Sequence, residues 1–185
     1  RALQEPAALV LSAHRSNFRI IGFTSEPSLK EIAVLAHQAG IPLMHDLGSG
    51  ALLNTGSYGL AHEPTVQESL AAGADIVCFS GDKLLGGLQA GIIIGKANLL
   101  KKIKKHPLAR AVRADKICLA GISATLLHYL KGEALQEIPV WRMISITEAE
   151  VKTRAQNWKN LLNTGELIKG KSMIGGGSLR GESLP

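Results

Sequence analysis

The chain has 185 residues, 45% of them hydrophobic and 19% charged, with a formal net charge of +6. That mixture excludes a disordered or low-complexity protein and fits one sizeable domain or slightly more. No apolar run approaches the roughly 20 residues a bilayer-spanning helix needs, and the first residues, Arg1-Ala2-Leu3-Gln4-Glu5-Pro6, have no signal-peptide pattern.

In chain order, Ala7 to Ser12 reads as a buried strand. Pro27 to Gly40 reads as a helix opened by Pro27 and closed by Gly40, with Leu29, Ile32, Leu35 and Ala36 at helical spacing. Ile41 to Met44 is a strand ending at His45-Asp46. Thr65 to Ala72 is a helix with Thr65 and Glu68 as a capping box. Asp75 to Phe79 and Gly91 to Ile94 are strands. Lys96 to Lys105 and Lys116 to Leu130 are helical, and Thr147 to Leu162 opens with a second capping box, Thr147 and Glu150. This alternation predicts an α/β fold with a mostly parallel sheet. A change of composition near Glu137-Ile138-Pro139 suggests that residues 1–137 form part of one large domain and 138–185 the start of a smaller one. The abrupt start, without Met, reads as the interior of a longer chain.

Cys78 and Cys118 are far apart and read as buried thiols of a reducing compartment. No cysteine or histidine pair has zinc-site spacing, so no metal site is expected. The cations of Lys101 to Lys116 form either a solvated helix face or a contact for an anionic partner.

Ligands of α/β sheets bind at the carboxyl ends of the strands. Three polar clusters are expected there: Ser16-Asn17, His45-Asp46, and Ser80-Gly81-Asp82-Lys83. A lysine amine can condense with an aldehyde cofactor. A carboxylate, here Asp46, can keep a pyridine nitrogen protonated so that the ring acts as an electron sink. The alternative for Asp46 is a helix N-cap. The Asn17 amide can donate to a ring oxygen, and Ser80 with glycines 81, 86 and 87 can receive a phosphate. The glycines match neither a Walker A loop nor a dinucleotide fingerprint. Taken alone, a lysine in a glycine-rich turn such as Lys83 is usually just an exposed residue.

The exact strings narrow this. Ser-Asn-Phe-Arg-Ile-Ile-Gly-Phe from Ser16, Asp46-Leu47-Gly48-Ser49-Gly50, and Glu63-Pro64-Thr65-Val66-Gln67-Glu68 form one set. The other comprises Phe79-Ser80-Gly81-Asp82-Lys83-Leu84-Leu85-Gly86-Gly87, His106-Pro107-Leu108, and Arg113-Ala114-Asp115-Lys116. Together they resemble bacterial selenocysteine synthase, the L-seryl-tRNA(Sec) selenium transferase family of fold-type I, aspartate-aminotransferase-like enzymes that use pyridoxal phosphate (PLP). The Asn17–Asp46–Lys83 spacings of 29 and 37 residues are close to those of that superfamily.

The resemblance implies conversion of seryl-tRNA(Sec) to selenocysteinyl-tRNA(Sec) with selenophosphate, through an aminoacrylyl intermediate. It implies Lys83 as cofactor-bearing and acid–base group, and Arg110 and Arg113 as active-site cations. Asp46, Asn17, Ser80, Asp82 and His45 would surround the cofactor, His45 either bordering it or serving a structural role. A cytoplasmic homo-oligomer built from dimers, touching neither membrane nor DNA, is implied too.

The family pattern is broken at Leu88, where proline is usual, at His45, where an acidic or small polar residue is common, and at Arg180, which replaces a proline. The family's N-terminal tRNA-contacting domain and the early phosphate-binding part of its large domain have no counterpart in these residues. Two other readings share these features: a paralogous PLP lyase acting on a small amino acid or amino-sugar acid, and a non-catalytic basic RNA-binding module.

Overall fold

The computed structural model describes residues 6–15, 22–174 and 177–185. Four strands form one sheet in sequential order: β1 (Val10–Ala13), β2 (Leu43–Gly48), β3 (Ile76–Ser80) and β4 (Gly91–Gly95). The first three are parallel, joined by α1 (Leu29–Gln38) and α2 (Val66–Ala71), whereas β4 runs antiparallel to β3. The expected mostly parallel α/β sheet is therefore present.

Local chemistry explains the helix starts. Ser28, not Pro27, caps α1: its hydroxyl accepts the Glu31 N–H, and the Glu31 carboxylate accepts the Ser28 N–H at 2.8 Å. Pro27 stands one residue outside, where its missing N–H costs nothing. Thr65 and Glu68 form the predicted box on α2, and Thr147 and Glu150 that on α8 (Glu148–Leu162). Ala33 and Ala36 of α1 pack on Leu43 of β2. Their small side chains let the helix lie close to the sheet.

At the amino edge of the sheet, buried Asp75 joins four segments. Its carboxylate accepts the Leu43 N–H at 2.7 Å, faces His37 Nε2 at 2.9 Å, and pairs with Lys96 Nζ at 2.5 Å. Burial alone would raise its pKa. Lys96, the Leu43 amide and His37 outweigh that and hold it at about 2.

After β4 come α3 (Ala97–Lys105), α4 (Pro107–Ala111), α5 (Lys116–Leu130), α6 (Ala134–Glu137), α7 (Pro139–Ser145) and α8, then a short antiparallel pair, β5 (Ser172–Met173) and β6 (Ser183–Leu184). Sequence reading missed α4, α6 and α7, which are too short to display a helical period. Ile138, Trp141 and Ile144 share one buried cluster with Ala51, Leu60, Leu84 and Ala134, so residues on both sides of Glu137 contribute to a common core. Among the described residues, no helix is long and apolar enough to cross a membrane.

Candidate active site

The loop between β3 and β4, residues 81–90, carries Lys83 at the carboxyl end of the parallel strands. The Gly81 N–H donates to the Ala90 carbonyl, the Gly87 N–H to the Gly81 carbonyl, and the Gly86 N–H to the Lys83 carbonyl. The glycines are required by space. A Cβ at Gly81 would lie 2.5 Å from the Leu88 carbonyl oxygen, and one at Gly86 would lie 2.3 Å from Ile138 Cγ2.

The two residues after Lys83 anchor the loop in separate cores. Leu84 enters the cluster around Trp141, and Leu85 the cluster of Leu47, Val77 and Phe79. Each such burial is worth about 1.5–3 kcal/mol. Lys83 itself is half-buried, and its aliphatic stem lies against Gly177.

Asp46 and His45 lie inside β2, not after it. The ladder with β3 continues through Asp46 opposite Cys78 to Gly48 opposite Phe79, with an irregularity between. The alternative of a helix N-cap for Asp46 is thereby removed. Strand alternation sends these neighbours to opposite faces. Asp46 is exposed, on the row that holds Cys78. Burial first, and then the Asp46 carboxylate, push the Cys78 thiol up to about 11. His45 turns the other way. It is buried with Nδ1 3.0 Å from Ser69 Oγ on α2, and Ser69 Oγ donates to the Thr65 carbonyl. Desolvation lowers the His45 pKa, and nearby His14 lowers it further. His45 thus packs against α2, away from the face that carries Asp46.

Ser80 is the last residue of β3 and half-buried, and Asp82 is exposed. Asn17 lies outside the described residues. Arg110, in α4, and Arg113, just beyond it, are exposed. The chain leaves the amino edge at Lys96 and has returned to the Lys83 loop by Cys118, whose Sγ donates to the Gln89 carbonyl at 3.6 Å. Arg113 precedes that contact by five residues. Leu88 packs on Gly121 of α5.

Sequence reading missed a polar group beyond β1. His14 Nε2 faces the buried Glu63 Oε1 at 3.3 Å, without hydrogen-bond alignment. It also missed the aromatic side chains Tyr129 and Trp141 beneath the lysine loop.

The groups present suit pyridoxal phosphate. A half-buried amine sits on the loop that follows β3, and the Asp46 carboxylate stands exposed on the neighbouring strand β2.

Solved structures share this fold. D-Glucosaminate-6-phosphate ammonia-lyase superposes with a TM-score of 0.54 at 20% identity, covering 82% of this chain and 34% of that one. A serine palmitoyltransferase from S. paucimobilis, solved with a PLP–myriocin adduct, gives 0.50 at 13% identity, covering 76% and 36%. The class is therefore the α/β fold of these enzymes. Within it, the chain belongs to the L-seryl-tRNA selenium transferase (SelA) family, whose model matches residues 1–185. L-seryl-tRNA(Sec) selenium transferases from Carboxydothermus hydrogenoformans and Clostridium perfringens are 48% and 47% identical over 190 residues, covering 100% and 99% of this chain. The relative from Hyphomonas neptunium is 44% identical over 100% of it. The chain spans 41% of the length of each of these relatives.

Proposed function

We propose that the whole protein converts seryl-tRNA(Sec) to selenocysteinyl-tRNA(Sec) with selenophosphate, using pyridoxal phosphate held on Lys83. The observation that carries this reading is 44–48% identity to selenium transferases along the entire chain, the lysine loop included. The small-molecule lyase alternative rests on fold matches at 19–20% identity, which speak for the fold alone.

When bound, pyridoxal phosphate supplies an electron sink for charge developed at the substrate's α-carbon. The Lys83 amine would hold the cofactor and would move the substrate's α-proton. Asp46 would keep the ring nitrogen protonated, and Asn17, by the family resemblance, would donate to the ring oxygen. Ser80 and the glycines of the loop would receive the phosphate, with Asp82 beside them. Arg110 and Arg113 hold the selenium-donating anion. His45 supports β2 on α2 rather than bordering the cofactor.

Residues 1–137 belong to the large domain in this reading, and 138–185 begin the smaller one, docked through Trp141. A cytoplasmic homo-oligomer built from dimers fits a tRNA substrate and the family pattern. The test is selenocysteinyl-tRNA(Sec) formation by the whole protein. Activity on free amino acids or sugar acids with none on the tRNA would overturn the substrate.

A further inference from the structure

The segment just after Lys83 is gripped from both sides. The Leu84 N–H donates to the Ser49 carbonyl at 2.9 Å. The Leu84 carbonyl accepts from Trp141 Nε1 at 2.8 Å, and the Leu85 carbonyl accepts from the Tyr129 hydroxyl at 2.9 Å. Trp141 Nε1 also lies 2.6 Å from the Tyr129 oxygen, so the two aromatics act as one unit. Trp141 is fully buried and comes from α7, while Tyr129 comes from α5. The peptide groups that carry the Leu84 and Leu85 carbonyls are therefore fixed by side chains from elements far along the chain, and the Leu84 N–H by the Ser49 backbone.

The leverage is short. Consecutive Cα atoms are about 3.8 Å apart, so a small rotation of the Leu84 peptide swings the lysine side chain across its site. Burial keeps the Tyr129 hydroxyl protonated by pushing its pKa well above the ordinary value, although the Trp141 N–H opposes this. It therefore remains a donor throughout the working pH range. Hydrophobic burial of Leu84 and Leu85 would hold the loop down without these hydrogen bonds. What the bonds add is orientation of the two carbonyls.

We propose that Trp141 and Tyr129 are positioning residues that orient Lys83 through the Leu84 and Leu85 carbonyls, so that the docking of α7 sets the reactivity of the lysine amine. The proposal rests on Lys83 being the cofactor-bearing lysine.

The test uses the whole protein with Trp141→Phe and, separately, Tyr129→Phe. Two readouts need no turnover: hydrogen exchange at the Leu84 amide, and reductive methylation of Lys83 in cofactor-free protein, referenced to exposed Lys30. Expected are exchange faster by about tenfold, a Lys83 to Lys30 reactivity ratio changed by at least about threefold, and a kcat lowered about tenfold with unchanged KM for the tRNA. Unchanged Leu84 exchange and Lys83 reactivity in both variants would overturn the proposal. If Trp141→Phe does not fold, Tyr129→Phe, which removes only the hydroxyl, decides alone. Absence of a borohydride-fixed cofactor on Lys83 in the unsubstituted protein would overturn the cofactor reading instead, and leaves the exchange result to judge the clamp.

Discussion

The side chain of Lys83 rests on Gly177, so closely that a methyl group at 177 would come 2.9 Å from Cε, 3.0 Å from Cδ and 3.1 Å from Cγ. What yields to such a methyl is the lysine stem, which is flexible, and not the backbone. Gly177→Ala is therefore expected to change thermal stability by less than about 1 kcal/mol while lowering pyridoxal phosphate affinity by roughly tenfold. Calorimetry and cofactor titration of the whole protein check the two halves separately.

Asp75 makes acid stability predictable in sign. Its folded pKa, about 2, lies below the ordinary 3.8. A depressed carboxylate contributes stability that is complete above the unfolded value and lost as pH falls through the folded one. Between about pH 4 and pH 2 the wild type should lose on the order of 2 kcal/mol through this group. Asp75→Asn should be less stable at neutral pH and flatter across that window. Denaturant melts at several pH values measure the difference, which cancels the contributions of the capping glutamates.

His45 gives a second window. Desolvation first, and His14 second, hold its pKa below 6.5. A histidine buried neutral must take up a proton on unfolding, so its stabilising contribution is present above pH 6.5 and is lost as pH falls below it. His45→Gln, which can still hydrogen-bond Ser69, should flatten the stability profile in that range and leave the cofactor's absorbance unchanged. A shifted absorbance band would place His45 at the cofactor after all.

Cys78 reports on Asp46. Burial and the facing carboxylate hold the thiol up at about 11, so alkylation at pH 8 should be slow. Asp46→Asn removes the repulsion but not the burial, and should speed alkylation of Cys78 by about three- to tenfold, with Cys118 unchanged. Equal rates in both proteins would separate the two side chains.

Much of this architecture was legible from local signals. Capping residues and apolar spacing located α1, α2, α5 and α8, and β1, β3 and β4 fell within three residues of their places. The ends of β2 were not legible, because the run His45-Asp46-Leu47 mixes polar and apolar residues and only pairing with β3 extends the strand through it. That single difference sent His45 and Asp46 to opposite faces, since a strand alternates strictly. The lysine was found from its own string. Its supports were not: Trp141, Tyr129 and Gly177 lie 58, 46 and 94 residues away in sequence, and no local pattern links them to Lys83.

The most direct test of the account is borohydride reduction of the whole protein with its cofactor, followed by peptide mass spectrometry. A reduced pyridoxal phosphate adduct is expected on the peptide bearing Lys83, and its loss, with loss of the yellow imine band, in Lys83→Ala. An adduct on another lysine, or a normal imine band in Lys83→Ala, would contradict it.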